Sequence, residues 1–498
     1  KVTLTYGETL NSDGTVNNAG SSGLTNGPIQ VDNYILKGGD TEIWEPSFSY
    51  KGFQYIQVEG YPGTAEEAKE NIIAQIVHSD IQTSGTFESS NELLNQIHDI
   101  TLRTMVNNSH SFISDTPMFE KRGWLGDANV MIKSTINNYD MRVFYKNWFY
   151  SIRDNQSSGG GGTVLSPNKS DGWCRDSIWG GSIISMPYTL YKEYGDVSFL
   201  SDNYTYMMYE MNYLRNYRTD PDGLIDFADY GDWLSPSYHK PPEDTSLINT
   251  AYAYMYALMV EEAATVLNKP TDAANMKAYA EGLKTAFNNK WLDTEKGIYD
   301  TGNGEGYRQT SNAVPLMFGL VPEEYAQIVA DNLAADVKAR GNKHNVGFAG
   351  IKELFPALAE YGYIDTAFSV ATGREFPSFG YWIDNGATTL WEFWELNSRS
   401  RDHCLHGSID DWFYSYLGGI KNKSVGYKEF DIKPYIPEKL NSVNSSLETS
   451  YGKVASAWSK NNSSGVYTFN VSVPVNTTAY LTVPSVSADL ISENGIKV

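Results

Sequence analysis

The stretch "SDTPMFEKRGWLGDA", residues 114–128, gathers Asp115, Glu120 and Asp127 around Trp124. The acids are spaced by five and then seven residues, so no regular helix carries them on one stripe. Pro117 and Gly123 argue for a loop. "GDANVMIKSTI" then reads as a helix beginning near Asp127, where a carboxylate suits the first turn. A second cluster, "GYWIDNGATTLWEFWELNSRSRDHCLHGSIDDW" at 380–412, holds Trp382, Asp384, Trp391, Glu392, Trp394, Glu395, His403 and His406. Glu392 and Glu395 are three apart and would share a helix face. His403 and His406 have the same spacing but no third ligand at metal-site spacing, so no metal is expected there. An imidazole in such a place better serves as a hydrogen-bond donor to a hydroxyl.

Two acidic, Trp-rich loops at one mouth point to glycoside cleavage. A glycosidic oxygen leaves poorly unless a carboxylic acid protonates it, and a second carboxylate must activate water or attack the anomeric carbon. A hydrophobic wall such as Trp124 would favour the protonated acid by desolvation. A plainer reading makes Asp127 a helix-end charge and pairs Glu120 with Lys121 or Arg122 at the surface. Other chemistries lack their motifs: there is no G-x-S-x-G elbow, P-loop, Rossmann fingerprint or H-E-x-x-H. "GGGG" at 159–162 lacks the preceding strand and following Lys of a phosphate cradle.

The elements that must position these loops fall into three zones. Residues 1–62 alternate as strands ("VTLTYGETL", "GFQYIQVEG") between Gly/Asn/Ser turns, a β domain whose upstream neighbours, if any, lie outside this sequence. Residues 63–87 read as a linker. From 88 to 425 helical patterns dominate, about ten to twelve of them. "SSNELLNQIHDITLRTMV" offers Ser89 or Ser90 as N-cap, and the long helix from Thr245 stops at Pro270, after which Thr271 or Asp272 caps the next. No internal repeat stands out, so a closed toroid of helical hairpins suits this zone better than a solenoid. From 426 to 498 strand alternation returns. Two long irregular stretches inside the helical zone, 155–173 and 229–244, carry Trp at an edge and read as pocket walls or as plain surface linkers.

Composition bounds the partners. The chain has 498 residues, enough for two to four domains, and its 12 Trp and 35 Tyr exceed what packing alone recruits, as in sites for flat amphipathic sugars. A formal charge of −22 argues against nucleic acid and anionic membranes, and no apolar run is long enough to span a bilayer. Ten Asn-x-Ser/Thr sequons occur, at Asn107, Asn155, Asn168, Asn203, Asn422, Asn444, Asn461, Asn462, Asn470 and Asn476. Five of the ten fall between 444 and 476, which points to a secreted glycoprotein.

The quoted residues also resemble a known family. "SDTPMFEKRGWLGDA" is similar to the signature D-C-P-x-R-E-R-x-G-W-x-G-D-A of the glycoside hydrolase family 78 α-L-rhamnosidases. "GATTLWEFWE" resembles that family's G-A-T-T-x-W-E-x-W, and "DHCLHGSIDDW" its N-H-x-x-x-G-S segment. The flanking "YILKGGDTEIWEPSFSYKGFQYIQVEG" and "LETSYGKVASAW" are similar to its β domains. The resemblance implies a central (α/α)6 barrel between N-terminal and C-terminal β-sandwich domains, and inverting, exo-acting removal of terminal L-rhamnose from plant-type glycosides or polysaccharides, with no cofactor. It implies Glu120 as general acid and Glu392 as general base. Asp115, Trp124, Asp127, Trp179 ("SIWGG"), Trp233 ("GDWLSP") and His403 would bind the sugar.

Three positions depart from the family pattern. Thr116 stands for Cys, Asp402 for Asn, and Phe119 for the Arg before the acid, which would remove a guanidinium from beside the pocket. Cys174 and Cys404 are the chain's only cysteines, and either bridge two rim loops in an oxidising compartment or remain buried thiols. A glycosidase or lyase for another terminal sugar and a non-catalytic carbohydrate-binding protein are the competing readings. A lyase needs basic groups against a uronate, which these acidic motifs lack, and binding alone does not need two opposed carboxylates. The oligomeric state, the aglycone and any calcium requirement are open at this level.

Overall fold

A computed structural model describes residues 1–20, 29–157, 159–167, 174–302, 304 and 306–497. The sequon at Asn168 and the Trp173 edge of the 155–173 stretch lie outside the described residues.

The N-terminal region is sheet-rich. Strand β1 (Val2–Gly7) runs antiparallel between β4 (Val31–Tyr34) and β5 (Tyr55–Glu59), and β2 (Thr9–Leu10) pairs with β3 (Val16–Asn17). This domain sits directly on the acidic motif: the Gly52 N–H donates to the Pro117 carbonyl, and Lys121 Nζ donates to the Tyr50 carbonyl. A Cβ on Gly52 would lie 2.6 Å from the Pro117 carbonyl carbon, so only glycine permits this approach.

Residues 63–87, read as a linker, contain helix α1 (Ala65–Asn71), with a Thr64–Glu67 capping box, and most of strand β6 (Gly85–Ser89). Strand β6 pairs far along the chain, with β11 (Ser442–Thr449), a partnership that local patterning cannot announce. Helix α2 (Glu92–Asn107) buries Leu93, Leu94, Ile97, Ile100 and Met105 on one face. Its N-cap is Asn91, whose side chain accepts from Leu94 N, one to two residues beyond the expected serines. Helix α3 (Leu125–Asn138) follows the acidic motif with Asp127 in its first turn. Helix α4 (Arg142–Asn155) turns Tyr145, Trp148 and Phe149 inward.

Thr245–Val266 and Pro270–Trp291 form a helical hairpin, the second helix starting on Pro270 itself rather than on a Thr271 or Asp272 cap. Proline suits that first position because its missing N–H would have no partner there. A short hairpin, β7 (Leu292–Asp293) with β8 (Ile298–Tyr299), follows, and helices continue to Leu417. One hydrophobic core runs through the helices from α2 onward.

The C-terminal region is again sheet-rich. One sheet orders β13 (Tyr467–Ser472), β12 (Gly452–Lys460), β11 (Ser442–Thr449) and β6. The other orders β14 (Thr478–Leu481), β10 (Glu429–Ile432) and β9 (Ile420–Asn422). Trp458 anchors the first to the helical core, its buried indole N–H donating to the Leu417 carbonyl at 2.7 Å. The sequons Asn444, Asn461, Asn462, Asn470 and Asn476 are exposed on this region. Asn203, by contrast, is buried and donates to the Phe199 carbonyl, so that sequon presents no acceptor.

Cys174 and Cys404 are free, which corrects the disulfide reading. Each thiol is buried and donates to a carbonyl, of Asp176 and Ser114 respectively, and burial pushes both well above the usual thiol range. They pack as small apolar side chains.

Candidate active site

The motif loop is closed on itself before it meets anything else. Asp115 exchanges backbone bonds with Arg122, its N–H donating to the Arg122 carbonyl while its Oδ1 accepts from Arg122 N, both at 2.9 Å. This staple closes the loop over residues 116–121, from which Glu120 meets Trp124 and Arg399. Asp115 and Asp127 are both buried, and desolvation together with their neighbouring carboxylates pushes both well above the usual carboxylate range. Trp124 meets Glu120 through its N–H rather than its ring face, Nε1 donating to Oε2 at 2.9 Å. It therefore orients the carboxyl instead of merely desolvating it.

The second acidic segment is not helical. Residues 389–403 form a tight loop in which Glu392 N donates to the Ser400 carbonyl, Phe393 N to Ser398 Oγ, and His403 N to the Leu390 carbonyl. Glu392 and Glu395 therefore do not share a helix face: Glu395 accepts from Ser237 N, while Glu392 turns toward Glu120. Burial raises Glu392 above the usual range, and the Arg399 guanidinium and the Ser400 N–H pull against that. Trp382, Trp391 and Trp394 are buried beneath this loop, with Trp382 stacked on Trp394 at 4.4 Å between ring centres. They support the loop as core.

Arg399 joins the two acids. Its Nη2 lies 2.9 Å from Glu120 Oε1 and 3.2 Å from Glu392 Oε1. The guanidinium also covers the ring of Phe119, 5.7 Å from its centre. The guanidinium expected to be lost with the Arg-to-Phe departure is thus present, supplied from a different loop. Thr116, the other departure in this motif, accepts a hydrogen bond from Ser400 Oγ at 2.8 Å and ties the two loops together. Asp402, the third departure, is buried and accepts from the Asn107 side chain at 2.7 Å.

The wall is aromatic. Tyr230 sits among the three expected tryptophans, its ring centre 5.9 Å from Trp124, 4.8 Å from Trp179 and 5.4 Å from Trp233. Trp179 packs on the first turn of α3, where a Cβ on Gly126 would enter its ring. The 229–233 turn is held by Asp176, whose carboxylate accepts from Asp229 N, Tyr230 N and Gly231 N at 2.9, 3.0 and 2.9 Å. Thus the 229–244 stretch is a built wall and not a surface linker. Sequence reading missed Tyr230, Asp176 and Arg399. The basic run "SRSR" beside "WEFWE" and the Tyr next to "GDW" were the available signals.

His403 is buried beside Asp127, Nδ1 to Oδ1 3.7 Å, with Leu405 N donating to that same Nδ1. Burial and the nearby Arg399 hold it neutral, well below the usual imidazole range. With Nδ1 accepting, the proton resides on Nε2, which is then the donor. Asp127, His403 and Cys404 bring potential ligand atoms within 4.8 Å of one another. The thiol's raised pKa and its donation to the Ser114 carbonyl make it a poor metal ligand.

Family models fit this chain from end to end. The bacterial alpha-L-rhamnosidase six-hairpin glycosidase domain matches residues 82–417, the C-terminal domain 419–496 and the concanavalin-like domain 1–78. The chain belongs to the bacterial α-L-rhamnosidase family. Among relatives, an alpha-L-rhamnosidase of Formosa agariphila is 32% identical over 95% of this chain and 52% of its own length. One of Streptomyces avermitilis is 30% identical over 97% of this chain and 46% of its own. The chain thus spans about half the length of the curated relatives it matches. Among solved structures, the Dictyoglumus thermophilum rhamnosidase superposes with a TM-score of 0.91 at 32% identity, over 98% of this chain and 54% of that one. The Streptomyces avermitilis enzyme complexed with L-rhamnose gives 0.89 at 28% identity, over 99% and 48%.

Proposed function

We propose that this rhamnosidase-family chain hydrolyses terminal α-L-rhamnosides by a two-carboxylate mechanism, with Glu120 as general acid and Glu392 as general base. The observation that carries the reading is the convergence of these two acids, from loops far apart in sequence, on one guanidinium beside a wall of Trp124, Tyr230, Trp179 and Trp233. Glu120 donates its proton to the departing glycosidic oxygen. Glu392 removes a proton from water as that water attacks the anomeric carbon from the opposite face. Asp115, Asp127 and the His403 Nε2–H are polar partners for the sugar hydroxyls. The aromatic wall suits the C6 methyl of a 6-deoxy sugar, a contact worth about 1–3 kcal/mol. The L-rhamnose held by the Streptomyces avermitilis relative supports this sugar.

The finer reading is an exo-acting, inverting enzyme on plant-type glycosides or polysaccharides, its helical core closed as an (α/α)6 barrel between β-sandwiches. We place it outside the cell. The five exposed C-terminal sequons support secretion. A retaining reaction, with Glu392 as nucleophile, is the second reading. It is favoured by two carboxylate oxygens within 2.9 and 3.2 Å of one nitrogen, since retaining pairs stand closer than inverting ones. Proton NMR of an aryl α-L-rhamnopyranoside during hydrolysis separates them. Release of β-L-rhamnose first establishes inversion, and α-L-rhamnose first makes Glu392 the nucleophile. Glu120→Gln and Glu392→Gln are each expected to lower kcat about 10²–10⁴-fold; full activity in either would sink its role.

A further inference from the structure

The gap between an acid and a base that act on one glycosidic bond is where the anomeric carbon and the attacking water must sit. In this site that gap holds the Arg399 guanidinium, bonded to Glu120 Oε1 and to Glu392 Oε1, with Nε a further 3.4 Å from Glu392 Oε2. Sugar and guanidinium cannot occupy it together. We propose that Arg399 is a positioning residue that clamps the two carboxylates in the ligand-free site and is displaced from Glu120 by the bound glycoside. The proposal rests on the two-carboxylate reading above.

Several observations make the displacement one-sided. Glu120 has a second anchor, because Trp124 Nε1 holds Oε2, so departure of Arg399 frees Oε1 without releasing the carboxyl. Oε1 is then the oxygen that carries the proton to the leaving group. Arg399 is the partner with room to move: its side chain is 40% exposed, against 10% for Glu120 and 8% for Glu392. The backbone around it is fixed. Arg401 N donates to Glu8 Oε2 at 2.6 Å, and the Arg401 guanidinium lies over the Trp391 ring at 4.4 Å. Glu8 comes from the N-terminal sheet domain, so that domain anchors the loop that carries the clamp. Movement of Arg399 is then a side-chain rotation about a fixed backbone. It keeps the cation near the base, whose burial it offsets.

The charges that face the pair are known. Asp115, Asp127 and Tyr230 face Glu120, while Glu8 and Asp127 face Glu392. All of these are acidic groups, so the guanidinium is the cation that opposes the effect of burial on Glu392.

Two measurements on the whole chain test the clamp. Carbon-13 NMR of glutamate carboxyls, assigned with Glu120→Gln and Glu392→Gln, follows the ligand-free protein through pH. In Arg399→Gln the Glu392 titration is expected to move up by about one unit, with Arg399→Lys restoring part of the shift. An unmoved titration overturns the clamp. Calorimetric binding of L-rhamnose is expected to tighten about three- to tenfold in Arg399→Gln, because the sugar no longer competes with the guanidinium. Unchanged or weaker binding overturns the displacement and makes Arg399 an ordinary contact. If the parent protein neither binds L-rhamnose nor hydrolyses a rhamnoside, the functional reading fails, while the titration still decides the clamp.

Discussion

Tyr230 shows how a pocket depends on one side chain placed among others. Its ring is half-buried and touches Trp124, Trp179 and Trp233 at once, so it sets the spacing of the wall. Burial and the neighbouring Asp176 push its phenol up to about 12, so it stays neutral across any working pH. Tyr230→Ala is expected to lower kcat/KM for an aryl rhamnoside about ten- to hundredfold, mostly through KM, while Tyr230→Phe keeps most of the activity. Equal loss in both variants would mean that the hydroxyl, not the ring, matters. At this scale the structure brings together Asp115, Glu120, Asp127 and Glu392 from the quoted motifs, with His403 beside them. The motifs said nothing of Arg399, because a guanidinium in a loop has no periodic signature and Glu120, the partner that sets it between the two acids, is distant in sequence.

At the scale of elements, the site is three loops held by backbone hydrogen bonds to buried acids. Asp176 gathers three N–H groups of the 229–233 turn, and burial raises it to about 6 despite those bonds. Removing the acceptor strands three donors in a region sealed by Trp179 and Tyr230. Asp176→Ala is expected to destabilise the protein by about 2–3 kcal/mol and to weaken rhamnose binding, read by urea denaturation and calorimetry. Asp176→Asn, which still accepts from some of these donors, should fall between. A stability equal to the parent's in Asp176→Ala would show that the turn holds its shape without the carboxylate. The misreading of Glu392 and Glu395 as one helical face belongs here too. Spacing of three permits a helix, but the Ser400 carbonyl and the Ser398 hydroxyl capture the Glu392 and Phe393 N–H groups that a helix would have used.

Across the whole molecule, buried titratable groups set opposite pH slopes. His344 and His406 are enclosed around Trp394 and burial lowers both to about 3. Below the unfolded imidazole value near 6.5, the unfolded chain takes up protons that the folded chain refuses, so stability falls as pH drops toward 3. At pH 5 the loss is about 2 kcal/mol per histidine. Glu8, at the junction of the N-terminal domain with the 389–403 loop, is raised to about 8 by burial. Its folded form keeps a proton that the unfolded carboxyl has lost, so its contribution is full below about 4.5 and declines as pH rises to about 8. His344→Gln should therefore gain about 2 kcal/mol on the parent from pH 7 to pH 5, read by urea denaturation at each pH. Glu8→Gln should gain on the parent between pH 5 and pH 8. A gain in the other direction would mean that Glu8 is ionised and paired in the fold.

The β–α–β order, the inward face of α2, the helix after Asp127 and the two acidic motifs all follow from local patterning, because periodicity and capping are written within a few residues of one another. The tertiary structure alone decided that β6 joins the C-terminal sheet and that the cysteines stay free. It alone put Glu8 from the first domain behind the loop of the second motif, and Arg399 between the two carboxylates. The contacts of β6 with β11, of Glu8 with Arg401 and of Arg399 with Glu120 each join segments hundreds of residues apart. Their geometry depends on how helices and sheets pack, which no local spacing records.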